Sequence, residues 1–320
     1  MGEANTYSRR DFVRRSARCA AHIGLMTAAA PMWTRGLWAA QQRFPVLVSE
    51  PWGQIQRVAE GIWALVSNPL EDRTTLCNGG IIAGRDGVVV VEASGSDVGA
   101  RWMAEQAFRL AGRLPTHVVL THYHGDHTGG LRGAMAIGSP EILATPVTRD
   151  LSLERNEGTP PEILGVVQPL DMIRPSEIDL GDRTLVVVPR RGHTDSDVTI
   201  EISDPSVVFC GDLVWNSMFP NYVDAKPSRL SQAVRLIRAA DATTYVPGHG
   251  PLADGAAVDT YLGLLDDVEA AANQAIDSGL TAEQAGDQYR LPAGLHDWTL
   301  FNPGYFARAI GAWMTELGQP

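Results

Sequence analysis

The segment Thr121-His122-Tyr123-His124-Gly125-Asp126-His127-Thr128 sets three histidines and an aspartate within six positions. It follows the apolar stretch His117-Val118-Val119-Leu120, which reads as a buried strand. A strand ending in this pattern delivers several neutral imidazoles and a carboxylate into one small volume. Borderline ions such as zinc take those donors at about 2.0–2.2 Å. Three more candidates follow: His193 after Arg191-Gly192, Asp212 after Cys210-Gly211, and His249 after Pro247-Gly248. Each comes after an apolar β-type run, on a glycine-containing loop. Five of the eight histidines therefore fall at strand ends, which scattered core histidines would not do. Seven donors are too many for one tetrahedral ion and suit two. A water between two such cations is acidified to hydroxide near neutral pH, so the reaction class this points to is metal-assisted hydrolysis.

The ordered set His122, His124, Asp126, His127, His193, Asp212 and His249 resembles that of the metallo-β-lactamase superfamily, from about Val58 to the C-terminus. The resemblance implies an α/β fold, an αββα sandwich of two central mixed sheets flanked by helices, with metals at one edge. It implies a site in which His122, His124 and His193 hold one ion, Asp126, His127 and His249 hold the second, and Asp212 bridges them. Asp126 and Asp212 would be the catalytic carboxylates and the cofactor two Zn²⁺. Class B β-lactamases lack an aspartate at the position of Asp212, so the likeness is nearer glyoxalase II, lactonases and related esterases. The stretch Gly211-Asp212-Leu213-Val214-Trp215-Asn216 and the later Val246-Pro247-Gly248-His249-Gly250-Pro251 look most like exported zinc metallohydrolases of quinoprotein and sulfur-oxidation systems. The expected activity is a dinuclear-zinc hydrolase using a metal-bridging hydroxide on a small ester, thioester or lactone. Three alternatives stand beside it: a class B-like β-lactamase, an iron-dependent sulfur or oxygen redox enzyme, and a non-catalytic periplasmic metal-binding accessory protein. The same nitrogen and oxygen donors accept iron, whereas a purely structural zinc site would be closed and use four ligands.

The elements that must position these residues follow from apolar patterning. Gln54 to Ser67 holds two short strands about the turn Ala59-Glu60-Gly61. Residues 79–91 form a hairpin about Arg85-Asp86-Gly87, because Asp-Gly between β-branched runs is a strong turn signal. Helices are predicted over Asp97–Leu110, Thr148–Asn156, Ser228–Ala240, Ala256–Ser278 and Phe301–Leu317. Strands are predicted over Ile142–Ala144, Leu185–Val188, Val198–Ile202, Val207–Phe209 and Thr244–Val246. At 320 residues and 44% hydrophobic content, one large domain over residues 41–320 fits. No stretch reaches the roughly 18 apolar residues a bilayer span needs.

Residues 1–40 read differently. Ser8-Arg9-Arg10-Asp11-Phe12-Val13 resembles a twin-arginine export signal, followed by a modest apolar stretch. Such segments are addresses rather than structure. The expected destination is the bacterial periplasm, with the twin-arginine machinery as a transient partner and no stable membrane anchor. Residues 1–40 carry six arginines against two acids, which leaves −15 on the remainder of a chain whose total is −11. An acidic surface repels phosphate backbones, so nucleic acid is excluded as a partner and a small molecule is favoured.

The segment after Asp212 is rich in aromatic side chains and contains Lys226, the one lysine of the chain. An apolar wall with a few polar groups suits a small-molecule pocket, so Trp215, Tyr222 and Lys226 are candidate substrate residues, with Asn68–Asn78 the other long loop before a strand. Of the three cysteines, Cys77 and Cys210 lie in strand contexts that suggest two buried thiols.

Overall fold

The computed structural model describes residues 43–155, 161–238 and 242–318. The expected signal at residues 1–40, with Cys19, lies outside them. Strands β1 (Val46–Glu50), β2 (Gly53–Ala59), β3 (Ile62–Ser67), β4 (Gly79–Ala83) and β5 (Val88–Val91) pair antiparallel in sequence order. Helix α1 (Asp97–Ala111) then crosses over, and β6 (His117–Val119) joins β5 in parallel. The short helices α2 (Gly125–Thr128) and α3 (Leu131–Met135) precede β7 (Glu141–Ala144). After α4 (Pro146–Arg155) and α5 (Pro161–Leu164), β8 (Gln168–Pro169) closes the eight-stranded sheet. Antiparallel at one end and parallel at the other, this sheet is mixed.

A five-stranded second sheet has the order β13-β12-β11-β10-β9. Its members are β9 (Ser176–Asp179), β10 (Thr184–Pro189), β11 (Val198–Ile202), β12 (Val207–Trp215) and β13 (Thr244–His249), the last parallel to β12. Between and after these strands lie α6 (Pro227–Ile237), α7 (Gly255–Asp277), α8 (Ala282–Gln288) and α9 (Gly304–Glu316).

Each sheet packs helices on one face and its partner sheet on the other. Val88, Val90, Val118 and Ile142 pack with Met103 and Ala107 of α1 and Leu131 of α3. Leu213, Trp215 and Tyr245 pack with Leu230 and Val234 of α6, Leu264 and Leu265 of α7, and Trp313 of α9. Between the sheets, a Cβ added to Gly80 would stand 2.2 Å from Cε1 of Phe209, so glycine makes room for that ring. The layers are helix, sheet, sheet, helix, as the family resemblance implied.

The helix ends follow their caps. Ser96 accepts from the Gly99 amide to start α1, and Gly112, at φ +69°, ends it. Thr281 and Gln284 form a capping box on α8, a helix the sequence reading left out. Two strands are longer than their apolar runs. β12 continues through Gly211 and Asp212 to Trp215, all nine residues buried, and β13 runs to His249. Asp212 and His249 therefore lie on strands, where loops were expected. Among the described residues, no helix is long and apolar enough to cross a membrane.

Candidate metal centre

The parallel strands β5, β6, β12 and β13 end at one edge of the sandwich, and the seven candidate ligands gather there. Beyond β6 the chain runs through Leu120 and Thr121 to His122. His124 then precedes the first turn of α2, which carries Asp126 and His127. That turn is tied back by Thr128, whose hydroxyl donates to the carbonyls of Tyr123 and His124. His193 sits on the turn after β10. There the buried Asp197 accepts from the Thr194 amide at 2.9 Å and the Thr194 hydroxyl at 2.6 Å. The pairing of β12 with β13 shifts register at Gly211, whose φ of +52° suits glycine. A Cβ on Gly248 would fall 1.9 Å from Oδ1 of Asp212, so β13 carries glycine where the carboxylate passes.

The donor atoms form two sets sharing one residue. Nδ1 of His124 lies 3.1 Å from Nε2 of His122 and 3.0 Å from Nε2 of His193. Oδ2 of Asp212 closes this set, 3.4 Å from His193 Nε2 and 3.9 Å from His122 Nε2. Oδ1 of the same carboxylate faces the other way, 3.0 Å from His127 Nε2 and 3.4 Å from His249 Nε2. Oδ2 of Asp126 completes the second set, 3.2 Å from His249 Nε2 and 3.5 Å from His127 Nε2. For a tetrahedral ion with bonds of 2.0–2.1 Å, neighbouring donors stand about 3.3 Å apart. Both sets match that edge. His127 Nε2, His249 Nε2 and Asp212 Oδ1 are also buried without a hydrogen-bond partner. Buried polar atoms generally find partners, and these three converge within one donor cluster, so they fit a cation that the protein chain does not supply.

Residues outside the seven fix which ring nitrogen faces inward. Nε2 of His124 meets Oδ2 of Asp224 at 3.1 Å, which leaves Nδ1 for the first set. Asp224 also accepts from the Tyr123 hydroxyl and, at 2.9 Å, from Arg155. Nδ1 of His122 donates to the Thr121 hydroxyl at 3.0 Å, and that hydroxyl donates to Oε1 of Glu92 at 2.5 Å. Oε1 of Glu92 approaches Nδ1 of His127 at 3.0 Å. Carboxylates behind ligating histidines set the tautomer in this way. Glu92 is buried and holds φ +72°, a left-handed conformation that is costly for a residue with a side chain.

The electrostatics suit cation binding. Burial opposes charging of His193 and lowers it to about 3, and it also holds His122 well below the usual imidazole range. Burial likewise opposes ionisation of Asp212, but the adjacent His249 and His127 outweigh it and keep the carboxyl well below its usual range. For His249, burial is outweighed by Asp212 and Asp126, which lift it to about 9. The neutral imidazoles of His122 and His193 thus lie beside the ionised carboxylate of Asp212.

The sequence profile of the metallo-beta-lactamase superfamily matches residues 73–249, more than half of the chain and all seven donors. The chain belongs to the metallo-beta-lactamase superfamily. Within that superfamily it is 25% identical over 159 residues to a hydroxyacylglutathione hydrolase of Hahella chejuensis, covering 49% of this chain and 54% of that one. It is 31% identical over 163 residues to an acyl-coenzyme A thioesterase of Homo sapiens, covering 43% and 57%. The matched region thus spans little more than half of each of these relatives. The fold is similar to that of a metallo-beta-lactamase from Pontibacter korlensis, with a TM-score of 0.56 and 22% identity over 67% of this chain and 99% of that one.

A cavity of about 580 Å³ opens onto the centre, lined by His124, Asp126, Asp212 and His249. Trp215 lines it as expected, its ring centroid 4.2 Å from that of His249. Tyr222 does not. It is 2% exposed and packs in the core with Met218 and Phe219, because this segment turns its aromatic faces toward α7 and α9. Lys226 is exposed outside the cavity, where its amide donates to the Gly192 carbonyl and its carbonyl opens α6. The cavity wall comes instead from Arg73 and Leu76, from Asn221 and Val223, and from Phe301, Asn302 and Tyr305 ahead of and within α9. Cys77 and Cys210 are free, buried thiols.

Proposed function

We propose that this protein is a metal-dependent hydrolase with a dinuclear zinc centre, acting on a small ester, thioester or lactone. The observation that carries this reading is the division of Asp212, whose two oxygens face two separate sets of histidine donors at 3.0–3.9 Å. His122, His124 and His193 would hold one zinc, Asp126, His127 and His249 the other, with Asp212 between them. Bound there, two zinc ions would acidify a water to hydroxide near neutral pH and polarise the bond to be cleaved. The chain's own residues supply the rest. Glu92 and Asp224 orient ligand rings, and Trp215 and Phe301 form an apolar wall beside His249 that keeps bulk water from one side. An aspartate at position 212 supports placement near glyoxalase II and the lactonases. The relatives named hydroxyacylglutathione hydrolase and acyl-coenzyme A thioesterase support the ester and thioester end of the range. The Arg9-Arg10 segment supports export to the periplasm by the twin-arginine route. Metal analysis of the mature protein, joined to a hydrolysis screen across thioesters, lactones, β-lactams and phosphodiesters, tests the activity.

A further inference from the structure

Four polar side chains line the cavity apart from the candidate ligands and Asp72: Arg73, Asn221, Asn302 and Tyr305. Asp72 is spent on its own loop, where its oxygens accept from the amides of Thr74, Thr75 and Leu76 and the hydroxyls of Ser67 and Thr75. The other four share one property. Oδ1 of Asn221 accepts from Nη1 of Arg308 at 2.6 Å. A guanidinium has no acceptor, so this amide cannot be turned over, and its Nδ2–H₂ is the end left for the cavity. Oδ1 of Asn302 accepts from the Gly304 amide at 2.9 Å, which fixes that side chain in the same sense. Arg73 is exposed, makes no ion pair among the described residues, and spends one nitrogen on the Asp72 carbonyl at 2.7 Å. It is the one arginine or lysine on the cavity wall among the described residues. Among the described residues the Tyr305 hydroxyl makes no hydrogen bond, and the ring is braced by Arg308, whose Cζ lies 5.3 Å from its centroid.

Away from the candidate ligands and Asp72, this wall therefore offers a guanidinium and two amide N–H₂ groups, with the Tyr305 hydroxyl able to donate beside them. A neutral alcohol or amide would leave the positive charge of the guanidinium unmatched. A carboxylate, which only accepts, satisfies a guanidinium fork and amide N–H groups together. We propose that Arg73, Asn221, Asn302 and Tyr305 bind the anionic end of the substrate, so that the substrate is an ester or thioester carrying a carboxylate, its apolar body lying against Trp215 and Phe301. This rests on the hydrolase reading and narrows its substrate class.

The test compares matched substrates on the zinc-loaded protein. One pair is mono-4-nitrophenyl glutarate and 4-nitrophenyl pentanoate, with the charge on the acyl side. The other is S-butanoyl-3-mercaptopropanoate and its methyl ester, with the charge on the leaving group. In one pair the charged member is expected to have a kcat/KM about tenfold higher, the scale of one charge-assisted hydrogen bond. Arg73→Gln and Asn302→Ala should each move that ratio toward one, chiefly through KM. Equal turnover of both members of both pairs, or variants that slow charged and neutral members alike, overturns the proposal. If no ester is cleaved, calorimetry with 4-phenylbutane-1-sulfonate decides, because a sulfonate is a poor metal ligand. Binding weakened about tenfold by Arg73→Gln would keep the anion subsite and count against the hydrolase reading alone. No binding, or binding indifferent to the substitution, would reject the subsite.

Discussion

Glu92 brings Oε1 to 3.0 Å from Nδ1 of His127, with both side chains buried. The carboxylate therefore faces the Nδ1 side of the ring and leaves Nε2 for the second donor set. Glu92→Gln removes the charge while keeping the shape. Outer partners of this kind are worth about 10–100-fold in metal affinity. The expected outcome is a loss on that scale for the ion held by His127, read by chelator competition, with a smaller loss for the ion held by His122, which Glu92 reaches through the Thr121 hydroxyl. Unchanged affinity for both would remove Glu92 from the site.

Metal binding should depend on pH with a definite sign. His249 is raised to about 9 in the metal-free protein, and His127 also lies well above the usual imidazole range, in spite of burial. His249 is protonated at neutral pH, so an incoming ion must displace its proton. Zinc affinity is expected to rise as pH climbs toward about 9 and to fall in acid. Calorimetry at pH 7 in buffers of differing ionisation enthalpy should show proton release on zinc uptake. Uptake with no proton release would contradict this electrostatic account.

Gly80 offers a check on the sandwich itself. A side chain there would enter the Phe209 ring, so Gly80→Ala is expected to destabilise the fold by about 1–3 kcal/mol, the usual range for overpacking. Denaturant melts of Gly80→Ala and of Gly80→Ala with Phe209→Leu measure it, the second change restoring part of the loss. A fully stable single variant would mean that the sheets do not meet here.

Much of the site was legible because its chemistry is local. His122 to His127 occupy six positions after a short apolar strand, and the structure brings them together with His193, Asp212 and His249. The buried strands at Val88–Val91 and Val207–Phe209 were legible from their apolar runs, while the αββα layering came from the family resemblance. What escaped is long-range. Glu92 meets His127 through the fold, and its one local signal is a carboxylate closing a run of four valines. Asp224 was hidden in a segment whose aromatic content drew attention to Tyr222 and Lys226. The aromatics pack the core, while the aspartate turns back to His124. Asn302 and Tyr305 reach the cavity from the C-terminal segment, and no spacing rule connects them to the histidines. The strand through Asp212 was read as ending early because Gly211-Asp212 looks like a turn. A bulge absorbs the glycine, and β12 continues.

The proposed export rests on the Arg9-Arg10 pair and the apolar stretch that follows it. Replacing both arginines with lysine is expected to trap precursor in the cytoplasm while leaving its metal content intact. Fractionation and immunoblotting read the outcome, and an undiminished periplasmic yield would contradict the twin-arginine route.

The central claim is a dinuclear centre bridged by Asp212, and metal stoichiometry tests it most directly. Zinc measured per chain in the well-loaded wild-type protein should plateau at two ions. In His249→Ala and His127→Ala it should plateau at about one, with hydrolysis lost. A wild-type plateau at one ion, with both variants unchanged in metal content, would contradict the account.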